Sequence, residues 1–150
     1  MSGKRLTKSG REKIVREMTE VFKEHGVYSN ISFVYNNKMV QVGTSDIDLE
    51  ASNDDELVYT QPKITVIEGR DPSDFNGNDD TIVVIYDGGP LYSCMTNEFG
   101  WKWQERLMID LEKVLGPYWL GIEEINHYSF TLIKDVQPSY EKVANKLARG

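Results

Sequence analysis

Asp46, Asp48 and Glu50 fall on alternate residues of "GTSDIDLEASNDDE", residues 43–56, a stretch with six carboxylates in fourteen positions. If the stretch is extended, all three carboxylates leave one face of a strand, an arrangement able to grip a hard cation such as Mg or Ca. An ordinary half-exposed strand, with Ile47 and Leu49 packed inward and the acids in water, shows the same pattern. The segment "DFNGNDD" repeats the theme, since Asp74, Asn76, Asn78 and Asp80 offer oxygen ligands on alternate residues. It is not an EF-hand loop, which needs Gly at its sixth position and Glu at its twelfth; counted from Asp74, Asp79 and Ile85 stand there. Nucleophilic chemistry would have to pair Cys94 with His25 or His127, which lie in different predicted elements. Cys94 itself sits in a predicted strand, "LYSCMT", where a free thiol is usually a small buried hydrophobe. No G-x-S-x-G, phosphate-binding loop, G-x-G-x-x-G or H-E-x-x-H occurs in the chain.

"GTSDIDL" resembles the carboxylate strand of nucleotidyltransferases of the polymerase-beta superfamily. That resemblance implies Asp46 and Asp48 as ligands of two magnesium ions in phosphoryl transfer, with a third carboxylate on a later strand, Glu68 or Asp87. The Gly-Ser pair that the family places upstream has no counterpart, because the chain there reads "VYSNISFVYNN". The residues therefore favour a solvated acidic edge with no cofactor, and the metal-dependent enzyme is the alternative.

Charge is the most informative feature. The chain carries a net charge of −7, but residues 1–25 are net +3 while residues 44–87 hold twelve acids against Lys63 and Arg70, net −10. A field of that sign repels phosphates and attracts basic protein surfaces, which argues against direct nucleic-acid binding. With one cysteine and two histidines, neither an intramolecular disulfide nor a Cys/His zinc site is available. The charged start of the chain and the lack of a long apolar run predict a soluble, cytoplasmic protein without a membrane span.

The elements that would position these groups follow from periodicity. Ile14, Val15, Met18, Val21 and Phe22 mark an amphipathic helix stopped by Gly26. "ISFVYNNKMVQV" reads as a hairpin turning at Asn36-Asn37. Asp46 to Leu49 extends it or starts a new strand, "KITVI" is another, and "TIVVIYDGGPLYSCMT" gives two more, the apolar run Ile82 to Tyr86 being buried on both faces. A second helix capped by Thr96 or Asn97 follows, with Phe99, Trp103, Leu107, Leu111 and Val114 in its stripe, and ends at Gly116-Pro117. One or two strands in "YWLGIEEI" and "HYSFTLIK" precede a closing helix from Pro138. Hairpins instead of alternating βα units predict one α+β domain over residues 1–150, an antiparallel or mixed sheet of about five to seven strands with N-terminal, central and C-terminal helices, residues 1–8 being a flexible tail.

The expected function is a small acidic protein-binding module, an inhibitor or immunity-type protein. It would present Asp54, Asp55, Glu56, Asp71, Asp74, Asp79 and Asp80 to a basic partner, with Trp101 as an exposed aromatic contact roughly 160° from the stripe of its helix. In charge and size it is similar to toxin-immunity proteins and to phage-coded inhibitors that imitate nucleic acid. Tyr59, Phe75 and Tyr86, within the acidic third, are further candidate anchors. A small-molecule sensor is the remaining alternative, and the basic first helix facing an acidic middle leaves a homodimer open.

Overall fold

Two apolar periodicities, one of helices and one of strands, meet on a single sheet. The structure, a computed structural model, describes residues 6–44, 47–58, 60–77, 80–96, 98 and 100–136. Helix α1 (Lys8–Glu24) begins where the Thr7 hydroxyl accepts the Gly10 amide at 3.0 Å, and it buries Ile14, Val15, Met18, Val21 and Phe22. Strands β1 (Ile31–Tyr35) and β2 (Lys38–Val42) form the expected hairpin, with Asn36 and Asn37 at φ 51° and 61°. Both angles lie in the left-handed region that the primed two-residue turn requires and that Asn tolerates. Then come β3 (Ile64–Glu68), β4 (Val83–Ile85), α2 (Pro90–Met95), α3 (Trp101–Leu115), β5 (Gly121–Asn126) and β6 (Ser129–Ile133). The six strands make one antiparallel sheet in the order β3-β2-β1-β4-β6-β5, so the fold is α+β.

Alternation along each strand sends side chains to two different environments. On one face Phe33, Tyr35, Val84, Tyr86, Phe130 and Leu132 pack beneath α1 and α3, meeting Ile14, Met18, Phe22, Leu107, Leu111 and Leu115. The Phe22 and Phe33 rings lie 6.1 Å apart, and those of Tyr86 and Phe130 5.8 Å. Burial pushes the Tyr86 phenol up to about 12. On the other face Val34, Met39 and Val83 form a smaller cluster covered by Phe75, which rides on a single 3-10 turn, Pro72–Phe75. Gly77 lets that turn descend onto the sheet, since a Cβ there would stand 2.2 Å from Val83 Cγ2. At the hairpin end, Glu12 of α1 accepts hydrogen bonds from Lys38 Nζ and, at 3.0 Å, from the Tyr35 hydroxyl. Burial opposes the Glu12 charge, but these bonds outweigh it and hold the carboxyl below its usual range.

The interior strand is where the apolar run places it: Ile82, Val83, Val84 and Tyr86 are all buried, with β4 between β1 and β6. Three expectations are corrected. "LYSCM" is helical, because Gly88 turns the chain at φ 73° and Pro90 then enters at the first turn, where its fixed φ and missing N–H suit a helix. Leu91 and Cys94, three apart, are the residues this short helix buries. The long helix starts at Trp101 with Gly100 before it, and not at a Thr96 or Asn97 cap; its buried stripe is Leu107, Leu111 and Leu115, which leaves Trp103 half exposed. Of the expected strand Asp46 to Leu49, the described residues Ile47 to Leu49 do not continue the sheet beyond an isolated bridge at Ile47, and Ile47 and Leu49 are exposed. The expected closing helix from Pro138, and Asn97, Phe99 and Tyr59, lie outside the described residues.

Candidate functional site

The excursion between β2 and β3 is shaped by side chains that take over backbone hydrogen bonds, the usual reason for Asp, Asn and Ser to favour turns over ladders. Asp48 Oδ1 accepts the amides of Glu50 and Ala51 at 3.1 and 3.2 Å, and the Asp48 amide donates to Val58 O at 2.7 Å. Ser52 Oγ both accepts from Val58 N and donates to Val58 O, closing the excursion at its base. Inside it, Asn53 Oδ1 accepts the amides of Asp55 and Glu56 at 2.9 and 2.8 Å. Asp48 is thus engaged in holding a turn. Asp46, its expected companion, lies outside the described residues, as do Asn78 and Asp79. Among the described residues no group of three His, Cys, Asp or Glu side chains is placed to hold a metal ion.

This arrangement leaves Asp54, Asp55 and Glu56 exposed on the tip, and it also turns out apolar side chains. Relative exposure is 45% for Ile47, 85% for Leu49 and 58% for Leu57; in the adjoining strand Ile64 is 53% and Val66 52% exposed. All five belong to one stretch of twenty residues. Sequence reasoning assigned Ile47 and Leu49 to the core because it took the stretch for a strand. The missed signal is the Asp48–Asn53 pattern of turn-forming side chains.

The expected acidic surface divides in two. Asp54, Asp55 and Glu56 precede the Ile64 end of β3, whereas Asp71 and Asp74 follow its Glu68 end, in the turn where Asp74 Oδ2 accepts the Asp71 amide at 3.0 Å. Asp80 is tied down: Lys134 Nζ donates to it, and that bond holds its carboxyl below the usual range, while Arg11 Nη1 reaches its carbonyl oxygen at 3.1 Å. Of the aromatic candidates, Trp101 is 63% exposed with Lys102 Nζ 5.8 Å from its ring centre, on α3 and away from the acidic stretch in sequence. Tyr86 is buried on the helix-bearing face of the sheet, and Phe75, half-buried, packs on the other.

Beyond a cleft of about 640 Å³ lined by Lys23, Tyr28, Thr60 and Pro62, two more bear on the candidate residues. One, of about 380 Å³, opens over the uncovered end of the sheet, floored by Ser32, Gln41 and Thr65 and bordered by Lys63 and Asp87. The other, of about 360 Å³, brings His25, Cys94 and Trp103 to one wall, an association the sequence did not prompt. His25 Nε2 lies 2.7 Å from Asp110 Oδ2, which orients the imidazole. Burial pushes the Cys94 thiol up, so it stays protonated at neutral pH and lacks the lowered pKa of a nucleophilic cysteine. No helix among the described residues is long and apolar enough to cross a membrane. A scan against protein-family models gives no match, and searches of curated proteins and of solved structures give no significant one.

Proposed function

We propose that this protein is a binding module for a basic protein surface, of the inhibitor or immunity type, engaging its partner through the 47–66 stretch. The observation that carries the reading is the set of five exposed apolar side chains, Ile47, Leu49, Leu57, Ile64 and Val66, interspersed with Asp54, Asp55 and Glu56. Magnitudes assign the roles. Burying a Leu or Ile side chain fully is worth about 1.5–3 kcal/mol, whereas an exposed ion pair is worth about 1 kcal/mol or less. The apolar residues would hold the complex, and the acids would steer it and select a basic partner. An apolar centre with a charged border is the usual anatomy of such contacts.

The test is affinity capture from lysate of the source cells with three baits: wild type, Leu49→Ser with Leu57→Ser, and Asp54→Asn with Asp55→Asn and Glu56→Gln. The expected outcome is one basic protein retained by wild type, lost with the apolar variant, and captured more slowly and with less salt sensitivity by the acidic variant. Retention of the same proteins by all three baits refutes the reading.

A further inference from the structure

We propose that the partner engages this surface by laying an extended segment of its own alongside β3 as a seventh strand. The inference rests on the protein-binding reading above and specifies how the surface is used. Hydrogen bonds at the two ends of β3 fix which backbone groups are free. Gly43 N donates to Lys63 O at 2.8 Å and Gly69 N donates to Asn37 O at 2.9 Å, so the odd-numbered residues of this segment turn their backbone groups toward β2. Hydrogen-bonded and non-hydrogen-bonded pairs alternate in an antiparallel ladder, so the amides and carbonyls of Ile64, Val66 and Glu68 point out of the sheet. Among the described residues none takes them up.

An incoming strand would meet these groups at alternate residues, about 6.8 Å apart. Beside them stand the exposed side chains of Ile64 and Val66, on the helix-bearing face but outside the cover of α1 and α3. No bulge interrupts the β2–β3 register, and the strand contains no proline. Sheet edges left in this state are templates for strand addition, and main-chain bonds then give affinity while alternate side chains give selectivity.

Charge chooses the occupant. Two copies of β3, antiparallel with Ile64 opposite Val66, would satisfy the same backbone groups, but would bring together two segments that each carry a net charge of −10. The split of the acids into two groups, one beyond each end of β3, has a different complement. It fits a short β-branched run with Lys or Arg at both ends, reaching Asp54, Asp55 and Glu56 at one end and Glu68, Asp71 and Asp74 at the other. Lys63 and Arg70 reduce the charge at these ends without reversing it.

The test is amide hydrogen exchange of the full chain with a synthetic peptide, acetyl-Lys-Lys-Val-Thr-Val-Thr-Val-Lys-Lys-amide. Two control peptides carry N-methyl groups on the odd or on the even residues of its central run, each blocking one edge. The expected result is at least tenfold slower exchange at Ile64, Val66 and Glu68 with the parent peptide, and loss of that protection with one of the two controls. Equal binding by all three peptides, or no protection at those amides, overturns the inference. So does slow exchange at the same amides in the free protein together with a doubled mass in solution, which would give the edge to a second copy. Val66→Pro separates this inference from the reading it rests on, because it removes an outward donor at a position where an edge strand tolerates proline. If the folded variant still captures the basic partner, strand addition fails while the binding reading stands.

Discussion

The two edges of the sheet are built on opposite plans. β5 is defended: its pairing with β6 is broken by a bulge between Glu124 and Asn126, Glu123 and Glu124 place carboxylates along it, and Val136 crosses over its start, donating to Trp119 O at 2.8 Å. A Cβ on Gly121 would meet Val136 at 3.0 Å, so the cover is close. β3 has no bulge and, among the described residues, no covering segment; its one carboxylate is at its last residue, Glu68, and it exposes Ile64 and Val66. Proteins ordinarily blunt an exposed edge with bulges, charges or covering segments. One chain that does so at β5 and not at β3 points to β3 as the edge kept open for use.

The comparison can be broken from its foundation. Both edges hang on β1, β4 and β6, and Phe33 of β1 is fully buried against Phe22. Phe33→Ala is expected to cost about 3–5 kcal/mol, seen as a fall in Tm of roughly 10 °C in calorimetry. Loss of protection at both β3 and β5 amides would accompany it; a loss confined to one edge would show that the sheet is not one cooperative unit.

A smaller effect sharpens the contrast directly. Ile64→Lys with Val66→Lys transfers β5-style defence to β3, at positions already half in water. Tm should change by no more than a degree or two, since exposed substitutions usually fall within about 0.5 kcal/mol. Partner capture should drop at least tenfold. Glu123→Lys on β5 should leave capture unchanged, and a comparable loss there would remove the distinction between the edges.

The smallest effect concerns the Glu12–Lys38 clasp, since Lys38 lies opposite Glu68 at the far end of β3. Glu12 has a lowered pKa in the folded protein, so its contribution is present above the ordinary value of 4.5 and is lost as pH falls through the folded value. Lys38→Met removes part of that contribution. Urea denaturation should show the variant less stable than wild type at pH 6, with the two curves converging under acid conditions; a gap that persists at low pH would assign Lys38 a packing role instead.

What could be read from residues alone follows how local the cause is. Helix α1, the β1–β2 hairpin and the buried β4 run were legible because their apolar periods and the Asn36-Asn37 turn act within a few residues. Helix α2 was not, since six apolar-rich residues satisfy a strand or a helix equally and periodicity cannot separate them. Trp103 was misplaced into the core because a helical stripe shows which residues share a face, whereas the helix start and the reach of α1 decide which of them is covered.

For the candidate site, the sequence by itself determined the charge: a −10 segment with turn-forming Asp, Asn and Ser is a property of composition and needs no fold. Only the tertiary structure decided that β3 lies at an edge, that Ile47, Leu49 and Leu57 face water, and that the acids divide between its two ends. Strand order depends on which nonlocal pairs bury the most surface together, and no window of residues contains that competition.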